Sequence, residues 1–101
     1  MVAGGVAAGI AIGTMLAKPP AAATPVVVTD TTYMYDDGVY YARVMNGGEV
    51  AYQVVPAPAG AIITTLPKGC SDVRVGGVAY TQCGQTHYQK VSNGYQVVVP
   101  K

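Results

Sequence analysis

From Val26 onward the chain runs in short stretches of β-branched and aromatic residues, broken every few positions by Gly, Asn, Asp or Pro. No stretch repeats its apolar positions at helical spacing, so the pattern predicts about eight short strands. The stretches themselves recur. At an offset of 47 residues, Val26-Val27-Val28 lies over Val73-Arg74-Val75, Tyr33 over Tyr80, Tyr41 over Tyr88 and Arg43-Val44 over Lys90-Val91. Both copies, residues 26–56 and 73–100, reach an Asn-Gly turn and a closing strand: Tyr52-Gln53-Val54-Val55-Pro56 in the first, Tyr95-Gln96-Val97-Val98-Val99-Pro100 in the second. Only the spacing before the closing strand differs. Each copy therefore reads as a three-stranded β-meander, with Asp36-Asp37-Gly38 or Gly84-Gln85 as the middle turn and Asn46-Gly47 or Asn93-Gly94 as the last. The expected fold is mainly β, two tandem meanders forming a small antiparallel sheet or barrel over residues 26–101.

Cys70 and Cys83 are equidistant from Gly76-Gly77. A Gly-Gly pair suits a two-residue primed turn, because both central residues can take φ > 0. Val75 then faces Val78, Val73 faces Tyr80 and Cys70 faces Cys83. The cysteines fall on a non-hydrogen-bonded pair, where Cα atoms lie about 4.5 Å apart, within the reach of a disulfide. The spacing thus predicts an oxidised Cys70–Cys83 cross-link and a protein that lives outside the cytoplasm. By the same counting, Tyr35 pairs with Tyr40 about Asp37-Gly38, and Tyr41 with Tyr52 about Asn46-Gly47.

Residues 1–17 are uncharged and place Gly5, Gly9, Gly13 and Ala17 at a strict four-residue spacing. On a helix these line one face, a groove that a second helix or a membrane neighbour can approach closely. Such a helix would be about 25 Å long, short against a hydrocarbon core of roughly 30 Å. The segment is expected to be a retained apolar helix or arm; a signal-peptide core or a chain whose leader lies upstream of Met1 are the alternatives. Lys18-Pro19-Pro20 ends any helix, and residues 18–25 form a Pro/Ala linker. Between the copies, residues 61–66 read as an apolar strand, either buried at the centre of a sheet or at an edge open to pairing.

Half the 101 residues are apolar, only 11% are charged and the net charge is +1. Ordinary soluble proteins carry roughly 25% charged residues, so burial in an assembly or membrane is expected. The six basic residues form no run, which sets nucleic-acid binding aside. Chemistry is sparse: His87 stands alone at the position equivalent to Tyr40, where a half-exposed strand residue is expected, and no metal-ligand set, catalytic group or cofactor motif stands out. Asp36 and Asp37 are accounted for by their turn. Tyr33, Tyr35, Tyr40, Tyr41, Tyr52 and Tyr88 are the candidate binding face, with sheet-stabilising cross-strand pairs as the plainer role for the same residues.

The segments Val55-Pro56-Ala57-Pro58-Ala59-Gly60-Ala61, Leu66-Pro67-Lys68-Gly69-Cys70 and Gly77-Val78-Ala79-Tyr80-Thr81-Gln82-Cys83, with Tyr88-Gln89, resemble a family of small uncharacterised bacterial envelope proteins. Its members follow a Gly/Ala-rich apolar segment with tyrosine-rich hairpins. The resemblance implies an envelope setting and no assigned reaction. It leads to a non-catalytic structural or interaction protein, extracytoplasmic and without cofactor, acting as a homo-oligomer or as a subunit of a larger envelope assembly joined through residues 1–17. A small module that holds peptidoglycan, polysaccharide or a protein on its tyrosine face is the second expectation.

Overall fold

The computed structural model describes residues 6–7 and 10–100. In chain order the described strands are β1 (Val6–Ala7), β2 (Ile10–Ala11), β3 (Met15–Leu16), β4 (Thr24–Val28), β5 (Thr31–Asp36), β6 (Val39–Asn46), β7 (Glu49–Val55), β8 (Ile62–Ile63), β9 (Cys70–Val75), β10 (Val78–Cys83), β11 (Thr86–Val91) and β12 (Gly94–Val98). The first two pair with each other. The rest form two open five-stranded antiparallel sheets, ordered β3-β7-β6-β5-β4 and β8-β12-β11-β10-β9. Neither sheet closes into a barrel. Each is a four-stranded meander rather than a three-stranded one, because the valine-rich runs that open the copies are themselves paired: Val26 with Tyr33, Val73 with Tyr80. Among the described residues no helix is long and apolar enough to cross a membrane.

Two-residue loops set the register of both meanders. Gly76 and Gly77 take φ of 58° and 82°, and the predicted pairs Val75↔Val78, Val73↔Tyr80 and Cys70↔Cys83 all form. Tyr35 likewise faces Tyr40. The last turn of each copy departs from the Asn-Gly reading. In the first copy Asn46 pairs with Glu49 and the loop is Gly47-Gly48, at φ of 62° and 85°. Two adjacent glycines satisfy a turn with two positive φ angles more cheaply than Asn-Gly does, so Asn46 stays in the ladder. Tyr41 consequently faces Val54, Tyr52 faces Arg43, and the expected Tyr41–Tyr52 pair does not form. In the second copy Val91 pairs with Gly94, leaving Ser92-Asn93 as the loop. Gly94 answers a different demand: a Cβ there would run into the Ile63 carbonyl of the adjoining strand.

The helix expected over residues 1–17 is not found in its described part. Ile10–Ala11 and Met15–Leu16 are strands, and Gly13, at φ of 98°, cannot belong to a right-handed helix; Gly5 and Gly9 lie outside the described residues. The Gly13 N–H donates to the Val54 carbonyl at 2.8 Å, and the Val54 N–H donates to the Thr14 carbonyl at 2.9 Å. The second sheet repeats this. Gly60 N–H donates to Val97 O at 2.9 Å, and Val97 N–H to Ala61 O at 2.8 Å, with Gly60 at φ of 94°. Gly13 and Gly60 are themselves 47 residues apart. The duplication therefore begins ahead of Val26, and β3 and β8 are equivalent edge strands. The run at 61–66 is accordingly not a central strand: only Ile62–Ile63 is strand, at the sheet edge, although Ala61 and Ile63 are buried.

The closing hairpins explain the irregular spacing. β6 and β7 have eight and seven residues, whereas β11 and β12 have six and five. Two residues are missing from each strand of the second copy, so every side chain keeps its face. The main core lies between the sheets, where Val26, Tyr35 and Tyr40 of the first meet Ala61, Ile63, Tyr88 and Val97 of the second. A second cluster, Val39, Tyr41 and Val54, lies on the other face of the first sheet, with Ile12, Leu16, Met34 and Tyr52 packed against it.

Candidate functional site

The disulfide closes the open end of the β9–β10 hairpin. Cys70 begins one strand, Cys83 ends the other, and their Cα atoms are 4.2 Å apart, the short spacing of a non-hydrogen-bonded pair. The equivalent positions in the first copy hold Ala23 and Asp36, so only the second copy is cross-linked.

The structure distributes the six candidate tyrosines instead of aligning them. Tyr40 and Tyr88, each 1% exposed, join their hydroxyls at 2.7 Å across the core between the sheets. Burial pushes both hydroxyls above the ordinary tyrosine range. Tyr35 packs on Tyr40 with ring centroids 4.8 Å apart, and its buried hydroxyl has no hydrogen-bond partner among the described residues. Desolvation, reinforced by Tyr88 and offset in part by the Gly38 N–H, which lies outside good hydrogen-bond geometry, pushes Tyr35 up to about 12. Tyr41 is buried on the opposite face of the same sheet, in the second cluster. Only Tyr33 and Tyr52 are half-exposed. His87 is half-buried on the outer face of the second sheet, edge-on to Tyr80 with ring centroids 6.0 Å apart. Among the described residues no three of His, Cys, Asp and Glu stand close enough to share a metal ion.

Equivalent residues of the two copies do not face equivalent surroundings. Leu16, Tyr41, Tyr52 and Val54 of the outer cluster correspond to Ile63, Tyr88, Tyr95 and Val97, which face the shared core. Conversely Val26, Tyr40 and Val55, facing the core from the first sheet, correspond to Val73, His87 and Val98 on the outer face of the second. The sheets are thus stacked head to tail: the face of copy two that bears Ile63, Tyr88 and Val97, here called donor-type, sits on the face of copy one that bears Val26, Tyr40 and Val55, here called acceptor-type. One face of each kind is left over.

The core-side face of the second sheet extends past the area covered by the first, and there it forms a trough of about 570 Å³. Asp72 and Arg74 stand on one side of it, Tyr88 and Lys90 on the other, and the small side chains of Ala79 and Thr81 form its floor. Arg74 Nη1 donates to the Gly77 carbonyl at 2.8 Å, which fixes the guanidinium. The Lys90 ammonium stands 5.2 Å from the centre of the Tyr95 ring. The β10–β11 ladder ends at Thr81↔Tyr88, so the two strands leave their backbones unpaired beside Ala79 and Lys90.

A family model described as a family of unknown function (DUF6515) matches residues 9–101. The chain belongs to this family. Comparison with curated proteins and with solved structures gives no match. The match takes in both copies and the short strands β2 and β3 ahead of the first. The expectation that the chain belongs to an uncharacterised family is therefore met. For this family member the cross-link is compatible with an oxidising, extracytoplasmic location.

The trough was not visible in the sequence reading, since its residues come from three strands whose faces depend on exact register. The signal that does exist is the repeat itself. Asp72, Arg74 and Thr81 stand where the first copy has Pro25, Val27 and Met34.

Proposed function

We propose that this chain is a non-catalytic structural and interaction protein of the bacterial cell envelope or cell surface, acting outside the cytoplasm and assembling with further copies of itself or within a larger envelope complex. The observation that carries this reading is the head-to-tail stacking. A heterologous contact between unlike faces leaves one of each face unused and can propagate. Here the unused acceptor-type face bears Val73, Tyr80, His87 and Val98, and the unused donor-type face bears Leu16, Tyr41 and Val54. Ile12, ahead of β3, packs on the donor-type face. In this reading the N-terminal segment governs assembly, as a cover whose release exposes the surface that a second copy's acceptor face takes.

The experiment is sedimentation of the full chain over a concentration series, with Val98→Glu beside it. Val98 is half-buried on the outer face, so a carboxylate there should leave the fold intact and remove association. A wild-type chain that stays monomeric throughout, or a Val98→Glu chain that assembles equally well, overturns the proposal. A binding module is the second reading, carried by the trough and not by the tyrosine face first expected, of which only Tyr88 lines it.

A further inference from the structure

We propose that the trough on the second sheet is a binding site for an acidic saccharide, a hydroxyl-rich ligand carrying a sugar carboxylate. This goes beyond assembly and is independent of it, since stacking uses the opposite face of the same sheet.

The shape comes from the strands. Ala79 and Thr81 are small residues on β10, flanked by longer side chains on β9 and β11, so the sheet is hollow between those two strands. Antiparallel pairing alternates its hydrogen-bonded pairs, and beyond Thr81↔Tyr88 the next such pair would join Ala79 to Lys90. That pair is absent from the ladder, so the N–H and C=O groups of both residues point into the gap between the strands. The volume, about 570 Å³, lies within the range of roughly 300–1,000 Å³ typical of small-ligand sites.

The chemistry selects the ligand. One end is lined by Arg74 and Lys90, on opposite walls, with the unpaired N–H groups of Ala79 and Lys90 between them, a set of donors that favours an oxyanion. Arg74 spends one N–H on Gly77 and keeps the others of its five. At the other end Asp72 and Thr81 supply acceptors and a hydroxyl, partners for sugar hydroxyls, and Tyr88 closes one side. A simple anion would leave Asp72 and the free carbonyls unused. A neutral glycan would offer the two cations no charge to complement.

The first copy shows what the same surface looks like when closed. Its β5–β6 ladder runs one pair further, to Tyr33↔Ala42, and Met34 stands where Thr81 leaves space and packs into the outer cluster. Pro25 and Val27 replace Asp72 and Arg74, so of the three charges only the cation at Arg43 persists. The duplication thus carries its own control: Thr81→Met puts the first copy's residue into the trough.

The test is titration of the full-length protein with trigalacturonate, followed by amide NMR, against its methyl ester and against acetate. Saturable shifts centred on Ala79, Thr81 and Lys90, lost in Thr81→Met and weakened about tenfold or more in Arg74→Gln and Lys90→Gln, are expected. Thermal melts of each variant establish that it is folded; the two Gln changes, at exposed positions, keep the test valid if Thr81→Met does not fold. The proposal is overturned if trigalacturonate produces no saturable shifts, if the methyl ester binds as well, if acetate competes at equal concentration, or if folded Arg74→Gln and Lys90→Gln bind like wild type.

Discussion

Removing one hydroxyl of the Tyr40–Tyr88 pair should cost more than removing both in proportion. The two oxygens are 2.7 Å apart, and each residue is 1% exposed, so neither hydroxyl has water to fall back on. Tyr40→Phe or Tyr88→Phe deletes one partner and leaves the other desolvated and unpaired, a penalty of about 1–3 kcal/mol. The double variant loses only the net value of the bond, about 1 kcal/mol, and leaves no orphan. The singles sum to about 2–6 kcal/mol, so the cycle should show a coupling of about 1–5 kcal/mol, with the double variant less damaged than the sum of the singles. Against a total stability of roughly 5–15 kcal/mol for a small domain, that is large enough to read from urea unfolding followed by far-UV circular dichroism. Singles that are additive to within about 0.5 kcal/mol would refute the reasoning and place a water beside the pair.

Three further outcomes follow from the same interior and its edges. Tyr35→Phe removes a buried hydroxyl without a partner and should raise stability by about 1 kcal/mol at neutral pH. Because Tyr35 is pushed up to about 12 when folded while an unfolded tyrosine titrates near 10, its contribution is intact below about pH 10 and falls away between about pH 10 and 12. The advantage of the Phe variant in alkaline melts should therefore widen by up to about 3 kcal/mol over that window; a constant gap would contradict it. Loss of the Cys70–Cys83 link, whose cysteines are 13 residues apart, should lower stability by on the order of 3 kcal/mol, with mass spectrometry of unreduced protein showing the two joined in one chain. Gly94→Ala should cost on the order of 2 kcal/mol or more, since its Cβ meets the Ile63 backbone, whereas Gly69→Ala, with open space around it, should lose only about 1 kcal/mol of backbone strain; equal melts for the two would show that β8 does not pack as described.

The hairpins were legible where a loop had only one reading. Gly76-Gly77 and Asp37-Gly38 fix their registers by local chemistry, and the disulfide follows by counting. At residues 46–48 two overlapping dipeptides compete, and the better one, Gly47-Gly48, is chosen by backbone torsion that apolar pattern does not weigh. The four-residue glycine spacing near the N-terminus reads as helical because spacing is local, while the bonds that hold Gly13 and Thr14 go to Val54, forty residues on. The offset of Gly13 from Gly60 was the available sign that this segment belongs to the repeat. Which face of each sheet meets the other was not legible: β6 is buried on both sides, Tyr40 on one and Tyr41 on the other, so alternation gives no inside and outside there.

The difference between the two closing hairpins behaves as a ruler with fixed graduations. Removing a single residue from each strand would turn every side chain beyond the cut to the wrong side, but removing two from each leaves all of them in place. Length in this fold is therefore adjustable in steps of four residues, each moving the hairpin tip by about 7 Å. The first copy keeps one step more than the second, and what that step carries forward is Met45 opposite Val50, at 66% and 37% exposure. Relatives of this chain that differ in hairpin length should differ by multiples of four, and each would present its hairpin tip at a discrete reach from the same unaltered core.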